Sequence, residues 1–176
     1  MDQHYIKSCE HTLYKSFLDL YRTSFPLFEQ RSTVQQIEAF ESKQYKLLAF
    51  TENDTFLGFI SYWDFDTYCY VEHFAINTDF RGKGYGSKLL QRFTLSTDKI
   101  ILLEIAPITD RISEARLRFY QKCGFYENTY LHKHPAYRNE YPPHSLIVLT
   151  TERELSKEEY QQFSLDLNVI VMKRID

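Results

Sequence analysis

The sequence predicts a single α+β (α/β) domain, a mixed central β-sheet flanked by helices, and three observations carry that expectation. Two runs of strand character, Lys46 to Thr51 and Phe56 to Asp64, are joined by the polar turn Glu52-Asn53-Asp54, which is a hairpin signal. The strand pattern Tyr68 to Asn77 then leads through a glycine-rich turn into an amphipathic helix, Tyr85 to Leu95, and on to the apolar run Lys99 to Ile105. A strand, helix, strand order favours parallel pairing by a right-handed crossover. Finally, 176 residues suit one domain, read as 1–176 with an N-terminal helical part over 1–45 and a C-terminal helix and strand extension over 151–176.

The remaining elements follow in order. Leu13, Phe17, Leu18 and Tyr21 fall at helical spacing, and Pro26 ends that helix by forcing the residue before it out of helical geometry. Ser32 or Thr33 caps a second helix with Val34, Ile37 and Phe40 on one face, leaving Ser24 to Arg31 as an apolar loop. After the strand at 99–105, Thr109 or Asp110 caps a helix carrying Ile112, Ala115, Leu117 and Phe119, stopped by Gly124. Phe125 to His132 and Ser145 to Thr150 read as strands around a proline-containing loop. A last helix starts at Ser156 with Glu158 and Glu159 in its first turn. The apolar tail Val169-Ile170-Val171-Met172 is expected to complete a sheet edge or a homodimer contact.

Composition narrows the function. With 43% hydrophobic and 26% charged residues the chain is of ordinary globular type. A net charge of -3 gives no basis for broad nucleic-acid binding, which needs many Lys and Arg on phosphates. The apolar runs fall far short of the ~20 residues of a membrane span, so no membrane partner is expected. Cys9, Cys69 and Cys123 form no CxxC pair, and reduced thiols fit a cytoplasmic setting. His132, His134 and His144 lack the carboxylate or cysteine partners of a metal centre, and no metal is expected.

The chemistry concentrates in Arg81-Gly82-Lys83-Gly84-Tyr85-Gly86-Ser87. A P-loop is excluded because no Lys-Ser or Lys-Thr pair follows a glycine at the required spacing. The dinucleotide fingerprint is excluded because Gly82, Gly84 and Gly86 bring the third glycine one residue early. What is left is R-x-x-G-x-G between a strand and a helix, where glycines let backbone N–H groups approach phosphate oxygens and the helix N-terminus contributes its positive dipole end. Together with Phe119-Tyr120-Gln121-Lys122-Cys123-Gly124-Phe125, which matches an F/L-Y-x-x-x-G-F signature, this resembles the GNAT family of N-acetyltransferases over roughly Lys46 to Leu131.

That resemblance implies acetyl-CoA as cosubstrate and transfer of its acetyl group directly to a primary amine, on a small molecule or a peptide. A non-catalytic acyl-CoA-binding module on the same fold is the alternative. In the family the strand Glu72-His73-Phe74-Ala75-Ile76 splays from its neighbour in the central sheet, and backbone groups of Phe74, Ala75 and Ile76 hold the pantetheine arm and the thioester oxygen. Arg81 to Ser87 would take the pyrophosphate. Ser113 stands where many members carry a coenzyme-binding Asn, and Arg116 where a small Ala is common. Tyr120 matches the tyrosine that protonates the leaving thiolate. Glu72 is the first candidate for general base, on the reading that it shares a strand face with Phe74 and Ile76, and Glu104 is the second. Cys123, beside the helix stop, is read as a packing residue. Phe25, Phe28, Tyr137 and Tyr141 are expected to frame the acceptor pocket.

Overall fold

The turn Asn53-Asp54 closes a hairpin because both residues adopt left-handed backbone, φ 49° and 61°, as a tight two-residue turn demands. A computed structural model describes residues 1–173 of the chain, which divide into two compact units between Lys99 and Ile100. Within each unit the neighbouring strands pair antiparallel.

In the first unit the strands β1 (Asp2–Ile6), β2 (Tyr45–Glu52), β3 (Thr55–Asp64) and β4 (Tyr68–Ile76) pair in that order. β1 lies outside the sequence expectation, because Asp2-Gln3-His4-Tyr5 presents polar or exposed side chains at a sheet edge and gives no apolar run to detect. Helix α1 (Tyr14–Ser24) ends before Pro26 as expected and buries Phe17, Leu20 and Tyr21. Phe17 meets Phe59 of β3 edge-on at 4.7 Å. Helix α2 (Thr33–Glu41) carries a capping box in which Ser32 accepts from the Gln35 N–H. Its buried face is not the one expected. Gln36 and Ala39 turn inward, while Val34 and Ile37 are 65% and 46% exposed. Gln36 is held there by a hydrogen bond to the Tyr45 hydroxyl, 3.0 Å, so a polar partner overrides the apolar periodicity. The 24–31 loop contains one 3-10 turn, Leu27–Glu29. Helix α3 (Tyr85–Thr94) buries Leu89, Leu90 and Phe93 as predicted.

Gly58 marks the closest backbone approach in this sheet. A Cβ there would lie 2.4 Å from the Ala75 carbonyl oxygen and 3.1 Å from the Ile76 Cα. Since backbone atoms cannot step aside without distorting β4, Gly58→Ala is expected to destabilise the protein by about 1–3 kcal/mol. Urea denaturation checks this; an unchanged midpoint would show that β4 yields freely.

In the second unit β8 (His144–Thr151) is central. It pairs antiparallel with β5 (Ile100–Ile105) on one edge and with β6 (Phe125–Glu127) and β7 (His132–His134) on the other. The single strand expected over 125–132 is thus two short ones, interrupted where Asn128 turns its side chain to Thr150 Oγ1 at 2.7 Å. Helix α4 (Arg111–Lys122) starts on an Asp110 capping box and stops at Gly124, φ 89°. Ser113 is its one buried residue, and Ile112 is 71% exposed, so the apolar face read from the sequence is only half used. Helix α5 (Lys157–Asp166) starts after Ser156 as predicted, and the structure adds a Ser156–Glu159 capping box. The tail at 167–171 corrects the expected strand. It continues α5 as a π-helical turn that buries Leu167 and Val171 and leaves Val169 exposed.

Candidate active site

Of the predicted turn, Gly82 and Gly84 take left-handed backbone, φ 74° and 80°, and a Cβ on either would meet nothing within 4 Å. Gly84 is the residue from which α3 departs, and its helix start has no side-chain cap, in contrast to the capping boxes of α2, α4 and α5. The first-turn N–H groups of Tyr85, Gly86 and Ser87 therefore face outward at an exposed turn, with the positive end of the helix dipole behind them. Gly86 lies inside the helix and does not share the left-handed backbone of Gly82 and Gly84. Arg81 is anchored: its Nε donates to the Ile76 carbonyl at 3.0 Å and a terminal nitrogen to Ser24 Oγ at 3.3 Å. Lys83 lies over the Phe80 ring and Lys88 over Tyr85. The Tyr85 hydroxyl donates to Glu52 at 2.7 Å, which fixes the ring across the helix start.

Along β4, Asn77 N–H donates to the Leu57 carbonyl at 2.8 Å. Antiparallel alternation then directs the backbone groups of Ala75 toward β3 and those of Phe74 and Ile76 away from it. Phe74 and Ile76 carry the outward-directed groups named from the sequence; Ala75 does not.

Glu72 requires a correction. The β3–β4 register slips between Ser61 and Tyr62, pairing Ser61 with His73 and Tyr62 with Val71, so Glu72 is the extra residue of a bulge. The bulge undoes the expected alternation, and the side chains of Glu72 and His73 both meet the segment that runs from α1 to α2. Glu72 Oε1 accepts from Arg31 Nε at 2.9 Å and Oε2 from the Trp63 indole N–H at 2.7 Å, with the carboxylate fully buried. Burial alone would push this carboxyl up. The Arg31 guanidinium, His73 and the indole N–H outweigh it and hold the group down at about 2. A carboxylate so firmly ionised and so enclosed is a poor proton acceptor near neutral pH. Its role is to hold the 24–31 loop, an anchor strengthened by His73 Nε2, which donates to the Glu29 carbonyl at 2.8 Å, and by Arg31 N–H on the Tyr21 hydroxyl at 2.7 Å. Phe25 packs edge-on against His73 at 4.7 Å, while Phe28 is 36% exposed.

In the second unit, the Ser113 hydroxyl is bound into the α4 cap: Thr109 and Asp110 N–H donate to it at 2.9 and 3.0 Å, and Ser113 N–H bonds Asp110 Oδ1 at 2.8 Å. It organises the helix start and is not available as the polar contact expected of it. Tyr120 is half-buried between Phe119 and Phe125, both edge-on, at 5.1 and 5.7 Å. Burial pushes its phenol up to about 12, with Arg116 working in the opposite direction, so the hydroxyl keeps its proton at any physiological pH. Tyr137 is buried and stacks on His134 at 4.9 Å. Glu104, His132, His134 and His144 form a polar cluster that sequence reasoning treated only as a candidate metal loop plus an alternative base. What joins them is strand register. Glu104 lies opposite Val148, and His132 and His134 lie opposite Leu146 and His144, so all the even-numbered positions share one face.

The acetyltransferase (GNAT) domain family matches residues 43–127. Among proteins of known structure, one from Bacteroides thetaiotaomicron assigned to the GNAT family aligns over 98% of both chains at 26% identity with a TM-score of 0.90. A GNAT acetyltransferase from Elizabethkingia anophelis, solved with acetyl-CoA bound, shares the fold over 86% of this chain and 97% of its own, with a TM-score of 0.59 at 19% identity. YjbC of Bacillus subtilis strain 168, assigned as an acetyltransferase, is 39% identical over 64 residues, which are 35% of this chain and 33% of that relative's length. Residues 43–127, which contain the strand, the glycine turn and the tyrosine signature, thus match an acetyltransferase (GNAT) domain, and 98% of the chain follows a structure assigned to that same family.

Proposed function

We propose that the protein transfers the acetyl group of acetyl-CoA to a primary amine, and the uncapped, glycine-flanked start of α3 is the observation that carries this reading. Three outward N–H groups, a helix dipole and the anchored Arg81 suit a pyrophosphate. That the Elizabethkingia anophelis relative holds acetyl-CoA supports the same ligand here. In this reading Arg81, Gly82, Lys83, Gly84, Tyr85, Gly86 and Ser87 bind the pyrophosphate. The outward backbone of Phe74 and Ile76 bonds the pantetheine arm and polarises the thioester carbonyl. Tyr120 serves the sulfur.

Gly84→Val tests the coenzyme site. The side chain points into open space, so folding loses only the strain of a left-handed β-branched residue, of the order of 1–2 kcal/mol. The space the side chain enters is where a phosphate must approach. Calorimetry is expected to show acetyl-CoA binding weakened at least tenfold; equal affinity in the variant refutes the placement. Thiol release over an amine panel separates a transferase from a binding module, since tight acetyl-CoA binding with no acceptor-dependent thiol would establish the module instead.

A further inference from the structure

We propose that the acceptor is a primary amine carried on an apolar group, aromatic or branched alkyl, which rests on Leu27 and Phe28 at the crest of the 24–31 loop. The inference deepens the transferase reading and rests on it for the identity of the reacting nitrogen. It concerns the first unit alone, which also contains the glycine turn and the outward backbone of β4.

Both ends of the loop are tied to β4. Arg81 links the Ile76 end, since its guanidinium donates to the Ile76 carbonyl at 3.0 Å and to Ser24 Oγ at 3.3 Å. At the other end His73 Nε2 donates to the Glu29 carbonyl at 2.8 Å and Arg31 Nε to Glu72 at 2.9 Å. Residues 25–28 therefore lie between attachments at Glu72–His73 and at Ile76, about 10–13 Å of strand. That stretch contains Phe74 and Ile76, whose backbone is read as holding the thioester. The crest is the 3-10 turn Leu27–Glu29, closed by the Glu29 N–H on the Pro26 carbonyl and the Gln30 N–H on the Leu27 carbonyl, 2.9 and 3.1 Å. The Gln30 side-chain amide donates to the Phe25 and Arg22 carbonyls at 2.6 and 3.2 Å. The backbone beneath Leu27 and Phe28 is thus fixed before a ligand arrives, while their side chains stay 49% and 36% exposed. Apolar side chains on a pinned loop give up little conformational freedom when a ligand covers them.

Charge selects against the other common kind of amine, a polycation. From Ser24 to Ile37 the charged residues are Glu29 and Arg31, and Arg31 is engaged in the buried pair with Glu72. One carboxylate, on the half-buried Glu29, is what this segment offers to a polyamine that brings several positive charges. At the Ser24 end the loop meets Arg81, with Lys83 two residues further on, and both repel cations. A single ammonium on an apolar carrier meets these penalties least, because its charge disappears in the reaction. The C–N bond forms as the C–S bond breaks, one nitrogen proton goes to the sulfur and a second to water, and the amide product is neutral.

Acceptor-dependent thiol release from acetyl-CoA is compared for 2-phenylethylamine, isoamylamine, ethanolamine and spermidine. We expect kcat/KM for each of the first two to exceed that for spermidine at least tenfold, the scale of one well-filled apolar contact. Equal or better use of spermidine overturns the proposal and leaves the transferase reading intact. In Leu27→Ser/Phe28→Ser the preference for 2-phenylethylamine over ethanolamine is expected to fall at least tenfold. A preference that survives overturns the assignment to these two side chains. Because the ratio is taken within one variant, partial unfolding lowers both rates alike and does not move it. Binding is read apart from turnover, from leucine-methyl spectra of the full-length protein with CoA, titrated with 2-phenylethylamine and, separately, with spermidine. Saturable shifts at Leu27 are expected with 2-phenylethylamine and not with spermidine. Should no amine release thiol, the transferase reading fails; shifts at Leu27 then still establish an apolar amine site, and their absence overturns that site as well.

Discussion

Tyr120→Phe is expected to lower kcat for amine acetylation by about 10²- to 10³-fold while leaving the Kd for acetyl-CoA within about twofold, the loss that follows removal of one donor to a developing anion. The magnitude follows from what its surroundings do to the phenol. Held at about 12 by burial, it lies about 3.5 units above an ordinary thiol, so complete proton transfer to a solvated thiolate would cost about 5 kcal/mol. Tyr120 is therefore better suited to donate a hydrogen bond as negative charge grows on sulfur than to release its proton outright. Phe keeps the edge-on packing against Phe119 and Phe125, so the variant should fold. Single-turnover thiol release separates the two quantities. Wild-type turnover in Tyr120→Phe would remove the tyrosine from the mechanism, and a parallel loss of acetyl-CoA affinity would make it a binding residue instead.

The parts of this molecule legible in the sequence are those decided locally. Asn53-Asp54 closes a hairpin because two short polar residues tolerate left-handed backbone, Leu89, Leu90 and Phe93 find the core by helical period, and Ser156 with Glu159 caps α5 by its own chemistry. The glycine turn belongs to this class, and it carried the coenzyme reading. What stayed illegible depends on a second strand. The bulge at Glu72 exists only in the register of β4 against β3, and it is this one extra residue that moves the carboxylate from a presumed catalytic face to Arg31 and Trp63. In the same way His132, His134, His144 and Glu104 are scattered in sequence and meet only because β5 and β7 flank β8 with even positions in line. A parity count across three strands would have found them once the pairing was known. Ser113 illustrates a third limit, since a hydroxyl able to bond a ligand bonds its own helix cap when an Asp precedes it by three residues.

The Arg31–Glu72 pair should give the largest effect on stability. Both side chains are buried, 6% and 0% exposed, and removing one partner strands the other charge away from water. Arg31→Met is expected to destabilise the protein by about 3–5 kcal/mol, read as a fall in the urea midpoint. The double variant Arg31→Met/Glu72→Gln removes both charges and should recover a good part of that loss. A double variant no better than the single one would show that the pair's charges are not coupled. The pH dependence supplies an independent check with a fixed sign. Glu72 titrates at about 2 in the folded protein against 4.5 for an ordinary glutamate, so its contribution is present in full above pH 4.5 and is lost as pH falls toward 2. The gap corresponds to about 3 kcal/mol. Wild-type stability should therefore decline across that window more steeply than that of the double variant, which lacks the titrating group. Parallel curves would mean that the carboxylate is not held down by its partners, and the anchoring of the 24–31 loop would then have to rest on His73 and Tyr21 alone.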